Sequence, residues 1–222
     1  MRKIKKIKQF AVIGLGRFGS SVALTLHQMG FEVLAVDENE ERVQEFSDTV
    51  THVIQADTTD ENSLKAIGIR NFDVAVVAIG QDIQANMLTT LQLKEMGVPY
   101  IVAKAQNKLH GKMLEKIGAD RVVYPERDMG QRVAHNLVST NVLEYIALSP
   151  NVSMVEVTAP KTLVGKSLAE SNLRAKYDIN VLAIKRNDEI IVPPQASEKI
   201  LKDDIVIVVG RNEGVQRLEE LE

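Results

Sequence analysis

The sequence predicts an α/β fold, in which a doubly wound parallel Rossmann sheet is followed by a smaller α+β lobe. Apolar strand segments alternate with helical patterns through residues 1–125, and a glycine-rich loop follows the first of these segments. Strands that are apolar throughout and separated by helices are typical of parallel sheets covered on both faces. Beyond residue 150 the alternation gives way to strand segments clustered in a hairpin pattern. We therefore expect a Rossmann domain at residues 1–125, a connecting or dimerisation helix at 126–150 and a C-terminal lobe at 151–222.

The Rossmann domain is predicted to contain six strands. They are FAVIGLG, FEVLAVD, VTHVIQAD, FDVAVVAIG, PYIVAKA and DRVVYP. A helical pattern follows each of the first five, and Gly30 is placed to end the first helix. Six such strands joined by helices form a doubly wound sheet, which binds ligands at the carboxyl ends of its strands.

Residues 126–150 are predicted to form one long amphipathic helix. Apolar residues recur at helical spacing from Val133 to Leu143. Pro125 suits the start of a helix, and the Ser149–Pro150 pair suits its end. No seventh strand is expected in this stretch, so the helix would serve as a connector or a contact between subunits.

The C-terminal lobe is predicted to be an α+β module. Its elements are a strand in SMVEVTAP, a short helix in VGKSLAESNL, a hairpin in NVLAIKRNDEIIVPP, a strand in DDIVIVVG and a helix in NEGVQRLEELE. The hairpin is expected to turn at Asn187–Asp188, because Asn and Asp tolerate the left-handed backbone that tight turns require.

The composition narrows the class of protein. The chain of 222 residues has a net charge of −3, which argues against nucleic acid as its main partner. No apolar run approaches the roughly 18 residues that span a bilayer. There are no cysteines, so disulfides, thiol catalysis and thiolate metal sites are excluded. We expect a soluble cytoplasmic protein.

The segment GLGRFG predicts a phosphate-binding loop. Gly14, Gly16 and Gly19 fit the G-x-G-x-x-G spacing, after a strand and at the start of a helix. The amino end of that helix favours an anion, and Arg17 and Phe18 lie inside the loop. The alternative is a Rossmann sheet whose glycines only help packing.

Asp37 is predicted to hold the ribose of an adenosine, because it ends the second strand, where a carboxylate can accept bonds from both ribose hydroxyls. A 2′-phosphate there would face like charge. Asp57 can reach the adenine or ribose, while Lys104 and His110 can reach phosphates. For each residue, an ordinary polar group at a strand end is the alternative. The other residues predicted to line this crevice are Glu38, Asn39, Thr58, Ile79, Gly80, Gln81, Ala105 and Gln106.

The sequence favours binding over catalysis. A dehydrogenase needs a proton donor or acceptor beside its nicotinamide and a domain that holds substrate. None of the four histidines is placed to assemble a proton shuttle, and the C-terminal lobe is small and poor in aromatic residues. An NAD-dependent oxidoreductase of unknown substrate is the alternative, and a free-standing nucleotide sensor is a third hypothesis.

Several segments resemble the RCK domains, also called KTN, which regulate potassium conductance. They are FAVIGLGRFGSSVA, VLAVD, QAD, FDVAVVAIG, KAQN, IGADRVVYPERDMG and the tail LRAKYDINVLAIKR…DDIVIVVG. The resemblance covers nearly the whole chain and is strongest to the cytosolic subunits of bacterial Ktr-type potassium uptake systems. IGADRVVYPERDMG is more specific than any glycine loop.

That resemblance implies a gating protein rather than an enzyme. Such subunits form dimers that assemble into an octameric ring beneath a membrane-embedded potassium-translocating subunit. ATP activates and ADP inactivates the system from the Rossmann crevice, which NAD or NADH can also occupy. The resemblance thus implies a peripheral protein at the cytoplasmic face of the cell membrane, with residues 151–222 as its effector domain.

The resemblance also assigns individual residues. Arg17 would reach the terminal phosphate of ATP, including across a dimer. Glu126 would help to hold a divalent cation such as Mg or Ca near the phosphates, although a helix N-terminal acid favoured by the dipole is an equal alternative. The C-terminal lobe would bind cyclic di-AMP at a dimer interface. The residues expected there are Arg174, Ile179, Asn180 and Pro193, and the alternative is a solvated helix-end charge beside an interface strand.

Overall fold

The protein is described here by a computed structural model that covers residues 9–138 and 142–221. The chain divides between Glu126 and Arg127 into two compact units, each with its own sheet.

The first unit contains a six-stranded sheet whose paired strands are all parallel. Its strands are β1 (Gln9–Ile13), β2 (Glu32–Asp37), β3 (His52–Gln55), β4 (Val74–Val77), β5 (Tyr100–Lys104) and β6 (Arg121–Val123). Their order is β3-β2-β1-β4-β5-β6. The order reverses beside β1, so the carboxyl ends of β1 and β4 flank the switch point of the sheet.

Helices connect these strands and begin where short polar residues can cap them. They are α1 (Arg17–Gln28), α2 (Glu40–Phe46), α3 (Glu61–Ala66), α4 (Ile83–Glu95) and α5 (Lys108–Ile117). The side chains of Asn39, Asp60, Asp82 and Asn107 accept hydrogen bonds from the first-turn amides of α2 to α5. Asn and Asp at these positions explain why each helix begins shortly after its strand ends.

The sheet of the first unit is buried on both faces. In β1, Ala11 and Ile13 pack into one apolar cluster with Val36 and Val77, while Val12 packs into a second cluster on the other face. This two-sided burial explains why the strand segments are apolar throughout rather than alternating.

The helix predicted for residues 126–150 is too long. The structure forms α6 (Pro125–Val138), and Val142–Ser149 form a strand, β7, instead of continuing the helix. β7 pairs antiparallel with β8 (Val152–Thr158). The prediction also covered residues 139–141, which lie outside the described part of the chain.

The physical reason for this error is that helical spacing and strand alternation overlap in short apolar stretches. Val142 faces Val157 in the β7–β8 pair, is 5% exposed and packs into the apolar core of the second unit. Ser149 and Pro150, expected to end a helix, instead lead from β7 into the turn before β8. The second unit runs from Arg127, so β7 and most of α6 belong to it.

The second unit contains a five-stranded antiparallel sheet. Besides β7 and β8 it has β9 (Ile179–Arg186), β10 (Glu189–Ile191) and β11 (Ile205–Arg211), in the order β10-β9-β11-β8-β7. Its helices after α6 are α7 (Leu168–Ser171), α8 (Leu173–Tyr177) and α9 (Asn212–Glu219). The predicted hairpin is present, with Asn187 at φ 52° in its turn.

The core of the second unit joins its sheet to α9. Val155, Val157 and Val208 pack with Val215 and Leu218 of that helix.

An ion pair with a buried carboxylate links the end of β9 to the residue before β11. Arg186 donates to both oxygens of Asp204, at 3.0 and 2.9 Å. Burial alone would raise the pKa of Asp204, but the bonds from Arg186 and from the Leu201 amide outweigh it and hold that pKa below its ordinary value.

Candidate functional site

A cleft of about 950 Å³ opens at the carboxyl ends of the parallel strands. Its lining comes from the loops that follow β1, β2, β3 and β4, together with Lys104 of β5 and Glu126 of α6. This is the place at which a reversal in strand order leaves a crevice in a doubly wound sheet.

The three loop glycines have different structural roles. Gly14 has a φ of +94°, and a Cβ there would lie 3.0 Å from the Ile79 amide nitrogen. A Cβ on Gly19 would overlap the carbonyl oxygen of Gly14, so this glycine lets α1 pack close to β1. A side chain on Gly16 would meet nothing within 4 Å, so here the backbone faces open space that a ligand can enter.

The amino end of α1 faces this open space without a side-chain cap. Gly16 occupies the cap position and has no side chain, and the first turn contains no acidic residue. In each of α2 to α5 a side-chain cap satisfies amides of the first turn. The equivalent amides of α1 have no such cap. The free amides and the positive end of the helix dipole make this loop a site for an anion such as phosphate.

Asp37 is held at the end of β2 by three donors. Its Oδ2 accepts from the Leu15 amide at 2.6 Å and from Arg42 at 3.3 Å, and its Oδ1 accepts from the Asn39 amide at 2.9 Å. The residue is only 4% exposed, yet it lines the cleft. Oδ1 therefore keeps acceptor capacity for a ribose hydroxyl. Arg42 was not singled out in the sequence, because nothing distinguishes it from the other charged residues of α2.

At the other side of the cleft, Lys104 and Glu126 form an ion pair. Lys104 Nζ lies 2.5 Å from Glu126 Oε1, and the lysine side chain is 12% exposed against 68% for the glutamate. The hydrogen bond from Lys104 holds the pKa of Glu126 below its ordinary value, and the charge of Arg17 acts in the same direction. Two cationic side chains thus lie where a ligand's phosphates would extend from the glycine loop.

Two known domain families match this chain. The TrkA-N domain matches residues 10–125 and the TrkA-C domain matches residues 152–222. The chain belongs to the TrkA-N and TrkA-C family. It is 52% identical over 213 residues to Ktr system potassium uptake protein C of Bacillus subtilis, a match that covers 96% of each chain. It is 50% identical over 219 residues to Ktr system potassium uptake protein A of the same species, covering 99% of this chain and 98% of that one. These matches confirm the resemblance inferred from the motifs.

A solved structure confirms the predicted fold class. The RCK domain of GsuK superposes with a TM-score of 0.69 at 18% identity, covering 100% of this chain and 48% of that one. At this identity the likeness shows the fold alone. In the described part of the chain, no helix is both long and apolar enough to cross a membrane.

Most of the predicted site residues line the cleft of the TrkA-N domain. Those that do so are Gly14, Gly16, Arg17, Phe18, Asp37, Glu38, Asn39, Asp57, Thr58, Ile79, Gly80, Gln81, Lys104 and Glu126. Asp57 has a local role as well, because its Oδ1 accepts from the amide and the hydroxyl of Thr59 at 2.8 and 2.6 Å.

Four predicted residues are not in the lining of the cleft. Gly19 packs α1 on β1, and Ala105 is 1% exposed. The Gln106 amide donates to Nδ1 of His110 at 3.3 Å, and the Gln106 side chain donates to the Gly80 carbonyl. His110 is 2% exposed, and burial lowers its pKa, so it supports the loop after β5 as a neutral imidazole instead of contacting phosphate.

A buried amide that the sequence did not reveal joins two strand ends of the TrkA-N domain. The Nδ2 of Asn86 donates to the carbonyls of Ile79 at 2.7 Å and of Lys104 at 3.1 Å. This residue lies inside a helical pattern of mixed polarity, where no spacing marks it. Its two bonds tie the ends of β4 and β5 together beneath the cleft.

The described residues of one chain hold no preformed site for a divalent cation. Among the described residues, no group of three or more His, Asp or Glu side chains is arranged to hold a metal ion. Glu126 is the carboxylate predicted for that role, and its Oε1 is already bonded to Lys104. The donor set in a single chain therefore does not fit the predicted cation.

The residues predicted to bind cyclic di-AMP are only partly available in the TrkA-C domain. Arg174 of α8, Asn180 of β9 and Pro193 are exposed. Ile179 is 0% exposed and packs against Gly210 and Gly214 in the core, so its predicted contact with an adenine is wrong. The sequence could not show this, because an apolar residue at a strand start suits a core and a ligand pocket equally.

Proposed function

We propose that this chain is the cytosolic nucleotide-binding gating subunit of a bacterial potassium uptake system. It binds ATP and ADP in the cleft of the TrkA-N domain and acts on a membrane potassium-translocating subunit. With ATP bound the chain activates that subunit, and with ADP bound it inactivates it. The identity of 52% and 50% to two Ktr system potassium uptake proteins, over nearly the full chain, supports the assignment to potassium uptake. The protein is not an enzyme in this proposal.

The observation that carries nucleotide binding is the uncapped amino end of α1 beside the open backbone at Gly16. A phosphate placed there meets free amides and the helix dipole. Asp37 offers Oδ1 to the ribose on one side, and Lys104 and Arg17 offer positive charge on the other. The cleft thus supplies recognition groups for the ribose and for the phosphates of an adenosine phosphate.

The gating step requires that the two nucleotides stabilise different shapes of the assembly. A ligand shifts a conformational equilibrium only by its difference in affinity for the two states. ATP and ADP differ by one phosphate, and Arg17 is the exposed cation of the loop that would contact it. We propose that dimers assemble into an octameric ring, in which the arginine can reach a phosphate across a subunit boundary.

NAD or NADH is a further ligand of the same cleft, because the cleft is large enough for a dinucleotide. Its volume of about 950 Å³ lies near the upper end of the range for ligand pockets, roughly 300–1,000 Å³. An NAD-dependent oxidoreductase is less well supported. No histidine is among the described residues that line the cleft, and the buried His110 is not placed for proton transfer to a bound nicotinamide.

We place the protein at the cytoplasmic face of the cell membrane as a peripheral subunit, with no nucleic acid partner. The net charge of −3 fits that absence of a nucleic acid partner. In the TrkA-C domain, the exposed Arg174, Asn180 and Pro193 remain the basis for binding cyclic di-AMP, which would lower transport by favouring an inactive assembly.

The decisive experiment is potassium flux in proteoliposomes that contain the membrane subunit from the same organism. The purified chain is added with ATP or with ADP, and flux is compared with that of proteoliposomes lacking the chain. We expect a higher flux with ATP than with ADP, and the difference should disappear in the Asp37→Ala variant. Flux that is indifferent to the chain, or to the nucleotide, would reject the proposal.

A further inference from the structure

A second cavity, of about 460 Å³, lies entirely within the second unit. It lies between α6 and α9 and reaches β7 and β8. Gln131 and His135 of α6 are spaced one helical turn apart, as are Asn212 and Gln216 of α9, so each helix presents a polar stripe to the cavity. Nothing in the proposed nucleotide function uses this space.

A polar side chain occupies a core position in the lining of this cavity. Along β8, Ser153, Val155 and Val157 are the buried residues of the strand, at 0%, 1% and 1% exposure. The two valines pack into the apolar core, but the Oγ of Ser153 is buried and finds no hydrogen-bond partner among residues 9–138 and 142–221. An unpaired buried hydroxyl destabilises a fold, whereas an apolar residue of the same size would not. Its presence here calls for a partner outside the chain.

A second unpaired polar atom lines the same cavity. The Nδ2 of Asn212 donates to the Pro150 carbonyl at 3.1 Å, which fixes the orientation of the side chain. The Oδ1 of Asn212 is buried and has no partner in the part of the chain that the structure describes. Ser153 can donate or accept a hydrogen bond, and Asn212 Oδ1 can only accept one, so together they suit a ligand with both donors and acceptors.

The remaining lining defines the character of that ligand. The rings of His135 and Tyr145 are stacked, with centroids 3.9 Å apart and an interplanar angle of 12°, and they form a flat aromatic wall. The described residues of the lining include the carboxylate of Glu219 and no lysine or arginine, so a phosphate or carboxylate has no counter-charge there. A flat, uncharged molecule with hydrogen-bonding edges is the class that fits.

We propose that this cavity binds an uncharged nucleobase or nucleoside, whose polar edge bonds to Ser153 and Asn212 while its ring lies against the His135–Tyr145 pair. The site is separate from the cleft of the TrkA-N domain. Its occupancy would join α6 to α9 by contacts to both helices.

The test uses the full chain and four probes, namely adenosine, guanosine, cytidine and uridine, with binding measured by saturation-transfer NMR and calorimetry. At least one probe should bind saturably, and this binding should survive Asp37→Ala, which disables the cleft. Ser153→Ala should weaken it roughly tenfold, as should Gln216→Ala. Gln195→Ala, which alters an exposed glutamine outside the cavity, should have no effect.

Stability distinguishes a ligand site from damage to the fold. Because Ser153→Ala removes an unpaired hydroxyl, its thermal midpoint should equal or exceed that of the wild type while binding is lost. The proposal is overturned if none of the four nucleosides binds. It is also overturned if their binding is lost in Asp37→Ala and kept in Ser153→Ala. Neither result bears on the binding of ATP and ADP in the cleft.

Discussion

The backbone amide of Leu15 donates a 2.6 Å hydrogen bond to the buried Oδ2 of Asp37. This bond joins the glycine loop to the end of β2, so the carboxylate proposed to hold the ribose also positions the loop proposed to hold the phosphates. One side chain therefore links the proposed ribose-binding and phosphate-binding parts of the site.

From this coupling we expect Asp37→Ala to weaken ATP, ADP and NADH by similar factors, roughly 10- to 100-fold, because a charged hydrogen bond common to all three is lost. Calorimetry on the three ligands measures the change. Glu41→Ala, an exposed acid of α2 outside the cleft lining, is the control and should leave affinity unchanged. A loss confined to one ligand would contradict the proposed role in ribose binding.

Arg17→Ala should weaken ATP more than ADP, because only ATP presents the terminal phosphate to this side chain. A difference of roughly tenfold between the two losses is expected for one charge-assisted contact. Arg17→Lys should lose less, since it keeps the charge but not the planar fork. Equal losses for both nucleotides in the titrations would remove the assigned role of Arg17.

The stability of the chain should depend on pH through His110. Its folded-state pKa lies below the unfolded value of 6.5 because burial disfavours the charged ring. The unfolded chain therefore binds a proton first as pH falls below 6.5, and the folded state loses stability from there towards the lower folded pKa. Above the unfolded pKa, His110 exerts no penalty.

Urea unfolding of the wild type and of His110→Gln between pH 8 and pH 5.5 measures this effect. The advantage of the wild type over the variant should shrink as the pH falls, because glutamine does not titrate. His27→Gln, at an exposed histidine of α1, is measured alongside as the matched control. A gap between wild type and His110→Gln that is constant across the range would refute the prediction.

The chain should be a homo-oligomer that uses α6. Met129, Val133 and Leu137 on this helix are 53%, 49% and 81% exposed, which leaves apolar surface that a second copy can cover. Light scattering should give a mass well above that of one chain at micromolar concentration. Leu137→Glu should shift the protein towards smaller species, while the exposed Gln195→Glu, with the same change in charge, should not. A monomeric wild type would count decisively against this prediction.

Full-length protein should bind cyclic di-AMP with an affinity in the micromolar range or better, as measured by calorimetry. Arg174→Ala should weaken binding at least tenfold, because a guanidinium–phosphate contact is lost. Lys176→Ala, which removes another exposed cation from α8, is the control. If the full-length wild type does not bind the dinucleotide, this site is rejected, and the cleft of the TrkA-N domain is unaffected by that outcome.

Much of the nucleotide cleft could be predicted because its parts are local in sequence. The glycine loop follows a strand, Asp37 and Lys104 each end one, and parallel strands bring their carboxyl ends to one edge. Two features could not be predicted, namely the ion pair between Lys104 and Glu126 and the two hydrogen bonds that Asn86 donates. Both depend on side-chain positions across separate elements.

The sequence by itself determined the six parallel strands, the helices between them and the glycine loop that opens α1. These depend on apolar runs, on helical spacing and on glycine spacing, all of which act over a few residues. Only the tertiary structure decided that Val142–Ser149 form β7, that Ile179 is a core residue and that His110 is not in the lining of the cleft. Each of these outcomes depends on burial against residues distant in the chain, as when β7 pairs with β8 and Val142 faces Val157, and no local pattern carries that information.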